Sequence, residues 1–416
     1  MGLLFRDPDL RRRVLFVLGG FFLFRLGASI PIPGVDVLKL NQFLANNNFF
    51  GLLNIFSGGG LTRLSVFMLG VGPYITASII MQLLTMIFPK LKEIYQEEGE
   101  AGRRRFAQYS RLLTVPLAVV QGFGLLTLLK RQGILGTLTP FEQVVNIVVV
   151  TAGALLLMWV AELMTEFGIG NGMSLLIFAG IVARFPSDLG QLLFTLDRSQ
   201  IPLYIAFALI SLVVIAGVVV ITEAERPIPI TYAKRIRGQR VFGGASTYLP
   251  LRLNQAGVIP IIFALSILLF PQLIGNFLAG FNNPVLIKIS ALLLAITGNL
   301  VVYGVIYFFL VFLFTYFYTA VTFDPDAISE NLQKSGAFIS GVRPGKSTAS
   351  YLSKVLSRLT FVGALFLGVV AILPLVMQGI TGIASIAIGG TALLIVVSVV
   401  LELLKQFEAQ FAMREY

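Results

Sequence analysis

Long apolar runs, separated by short breaks of charged, glycine and proline residues, set the rhythm of this chain. A helix crossing a hydrocarbon core of about 30 Å needs roughly 20 residues. Ten runs fit: approximately 14–33, 72–89, 110–129, 144–164, 172–187, 203–223, 256–276, 298–322, 359–377 and 386–404. The last two share one uncharged stretch from Leu359 to Leu401, which Gly379, Gly382, Gly389 and Gly390 divide into two helices joined by a tight turn. Ten spans make two sets of five, and an odd number per set means that the second enters the membrane from the opposite side. The second segment of each set is interrupted. Gly58, Gly59, Gly60, Gly70, Gly72 and Pro73 break one, and Pro260 and Pro271 bracket the other. Broken helices at matched positions point to a central pathway. The expected fold is therefore an all-α polytopic membrane protein: ten transmembrane helices as two inverted five-helix halves, 1–187 and 188–416, around a central pore.

Charge placement orients the chain, because cytoplasmic loops collect lysine and arginine. Of the 31 basic residues, only Lys39, Arg63, Lys130, Arg131, Arg184, Arg198 and Lys288 fall on the outer side, with Arg25 inside the first span. The rest gather on the inner side, which predicts a multi-pass protein with both termini cytoplasmic. Arg25 lies about two turns from the outer end of its helix and can snorkel to the interface. No small-residue cleavage site precedes Pro31, so the first span reads as a retained helix rather than a signal peptide.

Composition narrows the chemistry. At 56% hydrophobic and 12% charged residues, the chain has too little polar surface for a soluble globule, so its apolar excess faces lipid. The absence of cysteine and histidine removes thiolate and imidazole ligands, and with them the usual nucleophile–base pairs. The seven aspartates (Asp7, Asp9, Asp36, Asp188, Asp197, Asp324 and Asp326) all fall in loops or tails, which excludes a paired-aspartate intramembrane protease. Gly345-Lys346-Ser347 lacks the upstream glycine of a phosphate-binding loop, since position 340 is Ser340. No catalytic residue, metal site or cofactor is expected, and any energy must come from a partner. A secondary transporter with an inverted repeat is the alternative, disfavoured by the scarcity of ionisable groups at depth.

Two long inner loops, about 224–255 and 323–358, mix basic residues with aromatics and turn formers. Loops of that length are commonly functional. Arg343 lies between Gly341 and the Pro344-Gly345 pair, which should hold its guanidinium on a stiff tip. Ile75 and Ile79 are spaced i,i+4, as are Met173 and Ile177, so each pair shares a helix face.

Eight ordered stretches carry a resemblance. They are FRLGASIPIPGVD (24–36), FSGGGLTRLSVFMLGVGPYITASIIMQLL (56–84), EGEAGRRRFAQYSR (98–111), TEFGIGNGMSLLIFAGIV (165–182), YAKRIRGQRVF (232–242), STYLPLRLNQAGVIPIIFA (246–264), NLQKSGAFISGVRPG (331–345) and GGTALLIVV (389–397). Over essentially its full length the chain resembles the SecY family, the central subunits of the bacterial protein-conducting channel. The resemblance implies a channel, not an enzyme, that passes unfolded secretory polypeptides across the membrane and releases transmembrane segments sideways into lipid. It implies an apolar constriction of Ile75, Ile79, Met173, Ile177, Ile262 and Ile395, where Met173 replaces a more usual isoleucine. It implies a plug at about 58–68, with Gly58, Gly59, Gly60, Leu61, Thr62, Arg63 and Leu64 at its centre. A lateral gate follows between the second and third spans and the seventh and eighth, with Gln82, Thr85, Gln121 and Ser266 as its polar members. Implied partners are SecE- and SecG-type small membrane subunits, the SecA motor ATPase, the ribosome, secretory and membrane protein substrates, and lipid. Lys234, Arg235, Arg237, Arg240 and Arg343 would meet the cytosolic partners, and the implied location is the cell inner membrane.

Overall fold

The structure, a computed structural model, describes residues 7–33, 39–40, 57, 59–136, 139–194, 201–232, 235–237, 240–242, 246–278, 283–381 and 384–412. Ten helices correspond one to one with the ten apolar runs: α1 (Pro8–Gly27), α2 (Gly72–Ile87), α4 (Gly99–Arg131), α5 (Pro140–Phe167), α6 (Gly172–Phe194), α7 (Ile201–Glu223), α8 (Ile259–Leu278), α10 (Leu300–Thr322), α12 (Lys346–Thr381) and α13 (Ala384–Ala412). Among the described residues, three more were not foreseen: α3 (Pro89–Gln96), α9 (Pro284–Gly298) and α11 (Pro325–Lys334). Among the described residues, four helical stretches are long and apolar enough on their own to cross a membrane, and α2 with α3 makes a fifth if that bent pair is one span.

Local chemistry explains where the boundaries depart from hydropathy. The Asp7 side chain accepts from the Asp9 N–H at 3.0 Å, and Pro8 supplies the fixed φ of a first helical residue. Helix α1 therefore begins before its apolar run and ends at Gly27, which puts exposed Arg25 in its last turn. Pro73 similarly starts α2, whereas Phe88, extended at φ −107° and ψ 108°, ends it and redirects α3 by 116°. Helix α5 opens on a reciprocal cap: the Glu142 N–H donates to Thr139 Oγ1, and the Thr139 N–H donates to Glu142 Oε2. Pro271 lies within α8 rather than at its end.

The chain forms two compact units. The first comprises 1–209, 265–303 and 374–416. In it α4 packs against α2, α3 and α5, α1 and α6 pack against α5, and α6 packs against α13. Its core joins Leu125, Leu126, Leu129 and Val150 of α4 and α5 to Ile32, Leu61, Leu64 and Met68. Gly122 of α4 lies against Leu69, Val150 and Thr151, which marks how closely α4 and α5 approach the segment preceding α2.

The second unit comprises 210–264 and 304–373 and contains a sheet inside what sequence reads as loop. Strands β1 (Glu225–Tyr232), β4 (Ser246–Arg252) and β5 (Ala337–Ile339) are ordered β4-β1-β5, all antiparallel. Strands β2 (Arg235–Arg237) and β3 (Arg240–Phe242) pair separately. Ile228, Ile230, Leu251, Ala337 and Ile339 turn one face of the three-stranded sheet onto Leu352 and Val355 of α12 and Ile328 and Leu332 of α11. At the lipid-spanning end, Phe263 of α8 meets Phe314 and Tyr318 of α10 edge-on, with centroids 6.0 and 6.2 Å apart.

Candidate functional site

The segment read as a plug is a compact knot in the first unit. Gly58 lies outside the described residues. Gly59 takes φ 85°, which glycine adopts without strain, and Leu61–Arg63 form one 3-10 turn. Side chains close the knot: Ser57 Oγ accepts from the Leu61 N–H at 3.1 Å, and Thr62 Oγ1 donates to the Gly59 carbonyl at 2.6 Å. The Ser65 N–H donates to the Gly60 carbonyl at 2.8 Å. A Cβ at position 60 would meet Ser65 Oγ at 2.7 Å and the carbonyls of Ser57 and Phe67 at 3.0 Å, so only glycine fits.

The knot is tied to the chain that leaves α1. Pro31 and Ser65 form an antiparallel bridge, in which the Ile32 N–H donates to the Leu64 carbonyl at 2.8 Å and the Val66 N–H to the Ile30 carbonyl at 3.0 Å. Leu61 and Leu64 are fully buried in the core they share with α4 and α5, whereas Arg63 is exposed. Full burial of each leucine is worth about 1.5–3 kcal/mol. Leu64 holds φ 42°, and among the described residues it alone takes positive φ without being glycine.

Immediately after the knot, α2 places Ile75 and Ile79 one turn apart, both buried. Met173 and Ile177 lie in the first turns of α6, whose start is built by the glycine-rich turn before it. Asn171 Oδ1 accepts from the N–H groups of Met173 and Ser174 at 3.0 and 3.3 Å, and Thr165 Oγ1 accepts from the Gly172 N–H at 2.9 Å. Gly172 sits directly on the Ala161 carbonyl, and Gly170, at φ 90°, faces Gln406 and Leu403 of α13. That turn docks α6 onto the helix that carries Ile395. Ile177 and Ile395 are buried, and Met173 is half-buried. Ile262 is buried in the second unit, beside the Phe263 contacts that fix the first turn of α8.

Of the four polar residues expected at a gate, Gln82 and Thr85 bond within their own helix. Thr85 Oγ1 donates to the Gln82 carbonyl at 2.6 Å, and Gln82 Nε2 donates to Ser78 Oγ at 3.4 Å. Gln82 Oε1 is buried and unpartnered. Gln121 is half-buried on α4, and Ser266 is buried on α8.

The basic loops differ in how much is fixed. Lys234 lies outside the described residues. Arg235 and Arg237 belong to β2, and Arg240 to β3. Arg343 is exposed on a tight loop between β5 and α12. Gly341 and Gly345 take φ 81° and 92°, and the Val342 N–H donates to the Ile339 carbonyl at 3.0 Å. The Arg343 carbonyl accepts from Thr348 Oγ1 at 2.9 Å, and the Gly345 carbonyl accepts from Ser329 Oγ at 2.7 Å. The tip is thus stitched to α11 and α12. Sequence showed the glycines and proline but not Ser329 and Thr348, whose role depends on α11 folding back beside the loop.

Long apolar helices, a glycine knot buried just ahead of the second of them, and a small sheet between helices define a polytopic membrane protein. A sequence model described as SecY matches residues 65–404. Protein translocase subunit SecY of Mycobacterium bovis is 44% identical over 432 aligned residues, covering 99% of this chain and 97% of that protein. The subunit of the same name from Streptomyces coelicolor is 44% identical over 437, with the same coverage. Among solved structures, one described as a protein-conducting channel has a TM-score of 0.65 at 20% identity, covering 95% of this chain and 91% of that one. A second, which concerns the plug domain of SecY, has 0.66 at 21%, with the same coverage. Both share this chain's fold. The chain belongs to the SecY family, a family of translocase channel subunits rather than enzymes, and a secondary transporter is not favoured.

Proposed function

We propose that this chain is the pore-forming subunit of an inner-membrane protein translocation channel, with both termini cytoplasmic. Unfolded secretory polypeptides pass through it, and transmembrane segments leave it sideways. Ile75, Ile79, Met173, Ile177, Ile262 and Ile395 form its constriction. Aliphatic tips exclude water and ions by dewetting, and because they make no directional bonds they deform around almost any polypeptide. Residues 58–68 act as the plug. The observation that carries this reading is the burial of Leu61 and Leu64 in an apolar core just before the helix that bears Ile75 and Ile79. Of Gln82, Thr85, Gln121 and Ser266, some bond across the gate when it is engaged and set how hydrophobic a segment must be to leave into lipid, each interhelical bond being worth on the order of 1 kcal/mol. SecE- and SecG-type subunits accompany the chain in the bilayer. The SecA motor or the ribosome supplies directionality through Arg343 and the basic residues of β2 and β3, together with Lys234. A related structure, described as Sec61 in a canine ribosome–channel complex, supports the ribosome as a partner.

The test is ion leak. Ile79→Asn, or deletion of Gly59 to Leu64, should wet the resting pore and raise its conductance in planar bilayers. Mutants as ion-tight as the parent would remove these residues from the seal.

A further inference from the structure

Helix α9 is too short to span a bilayer and too exposed to be a core helix. Its 15 residues reach about 22 Å at 1.5 Å per residue, against a hydrocarbon core of about 30 Å. Caps define both ends. Asn283 Oδ1 accepts from the Val285 N–H at 3.0 Å, and Asn299 Oδ1 accepts from the Val301 and Val302 N–H groups at 3.0 and 3.3 Å. Asn299 therefore ends α9 and starts α10 within one residue. One face of α9 packs on the end of α8. Buried Ser290 donates through Oγ to the Gly275 carbonyl at 2.7 Å, one of the last four carbonyls of α8, which have no partner within the helix. A Cβ on Gly275 would meet Leu294 Cγ at 3.1 Å and Leu293 Cβ at 3.3 Å, so the two helices lie close. Gly275 falls inside the seventh apolar run, and this contact sets the middle of α9 at the edge of the hydrocarbon.

A second face carries Val285, Ile289 and Leu292, spaced i, i+4 and i+7, which are 62%, 44% and 61% exposed. Lys288 is exposed beside them, and Ile287 is exposed on the far side of the packed face. We propose that α9 is an interfacial helix that docks this stripe into the acyl chains of the outer leaflet and thereby anchors the outer end of α8. Continuity with the membrane surface identifies phospholipid as the occupant. Helices α8 and α10, on either side of α9 in the chain, both cross the bilayer, and the exposed apolar surface continues from Leu292 to Val301, Val302 and Val305 of α10. A short helix that is apolar around most of its circumference is stable at the interface, where lipid covers its side chains and water reaches its capped ends. Exposure of Ile287 fits a helix sunk into the leaflet. Lys288, three residues from Val285 and four from Leu292, snorkels its ammonium to the level of the lipid phosphates. The bearing of this anchor on the lateral gate rests on the reading of α8 as a gate helix, and the term outer follows the proposed orientation; the contact with lipid depends on neither.

The chain contains no cysteine, so single introduced thiols can report depth. Ile289→Cys, Leu292→Cys, Leu313→Cys in α10 and Ser340→Cys in the loop before α12 are each labelled with a fluorophore. The full chain is reconstituted with its co-purifying subunits, and the quenchers are aqueous iodide and phosphatidylcholine brominated near the head or near the end of its acyl chains. Labels at positions 289 and 292 should be quenched at least about twofold more by shallow bromine than by deep bromine or iodide. The label at 313 should favour deep bromine, and that at 340 iodide. Quenching at 289 and 292 mainly by iodide would put the stripe in water, and mainly by deep bromine would make α9 part of a span. Protection from all three quenchers would give the stripe to a protein partner. Each of these results overturns the proposal. Anchoring is read at Ile274→Cys, an exposed position near the end of α8. Val285→Ser, Ile289→Ser and Leu292→Ser together should lower its shallow quenching about twofold, and an unchanged signal would overturn the anchoring. Since no readout is a conductance, failure here would leave the proposed constriction and plug standing.

Discussion

Leu64 carries two opposed energies. Its left-handed backbone costs about 1–2 kcal/mol in a residue with a Cβ, so replacement by glycine relieves strain. Its side chain is fully buried among Leu61, Met68, Leu125 and Leu129, and removing a buried leucine back to Cβ costs about 2–5 kcal/mol. Burial wins. Leu64→Gly should therefore weaken the knot by roughly 2 kcal/mol net, seen as faster amide exchange at residues 60–66 and a raised resting leak. Exchange no faster than in the parent would show that the leucine's packing does not hold the knot. Nothing in the sequence marks this position, because a leucine between arginine and serine has no preference for positive φ. The neighbouring glycines were legible since their residue type names the backbone they permit. Glu162 was passed over for a different reason: it stands so near the end of an apolar run that hydropathy treats it as a boundary, and only the fold brings it to Arg111 of α4, 2.7 Å away.

Helix α5 comes up against the knot's backbone at Gly153. A Cβ on Gly153 would strike the Val66 carbonyl oxygen, which belongs to backbone held by the bridge to Ile30 and cannot rotate away. On α4, Gly124 has nothing within 4 Å of the same added carbon. Gly153→Ala should push residues 64–66 off α5, lowering the melting temperature in detergent and raising leak. Gly124→Ala should leave tightness unchanged and gain up to about 1 kcal/mol from helix propensity. Equal behaviour of the two variants would mean that α5 and the knot are not in fixed contact. The ten apolar helices were legible because lipid demands length and apolarity of every span. The sheet was not, because Glu225–Tyr232 contains Pro227 and Pro229, which read against a strand. The register resolves this. The Leu253 N–H donates to the Ala224 carbonyl at 2.9 Å, so the alternating hydrogen-bonded pairs between β1 and β4 fall at Arg226, Ile228 and Ile230. Pro227, opposite Pro250, and Pro229, opposite Tyr248, occupy the intervening positions, where no N–H is needed by the partner strand. β5 pairs only with Ile230–Tyr232, beyond both prolines. Helix α9 was missed because its 15 residues fall short of a span.

For the whole chain, the distribution of basic residues is the basis of the proposed orientation, but it does not say which of them work. Most inner-side arginines are accounted for by retention of positive charge on that face. Arg343 differs in its backbone. The loop from Ile339 to Thr348 is closed by bonds from Ser329, Val342 and Thr348, so the guanidinium starts from a fixed root and loses less freedom on pairing than a cation on a loose tail. A planar donor fork held this way suits bidentate pairing with a carboxylate or phosphate of a motor or ribosome, which lysine cannot reproduce. Arg343→Glu should leave the protein inserted and assembled, because the side chain is exposed and none of the loop-closing bonds involves it. Motor-driven transport of a secretory substrate into vesicles should fall at least about tenfold, equivalent to ~1.4 kcal/mol of lost coupling. Arg343→Lys should be intermediate, since it keeps the charge and loses the fork. Raised salt should move the parent toward the mutant, because an exposed contact is screened within about 10 Å at 0.1 M. Resting ion leak should stay at the parent's value, which separates a docking defect from a failure of the seal. Transport at the parent's rate by Arg343→Glu, with matched channel amounts in the same vesicles, would assign the docking to other residues.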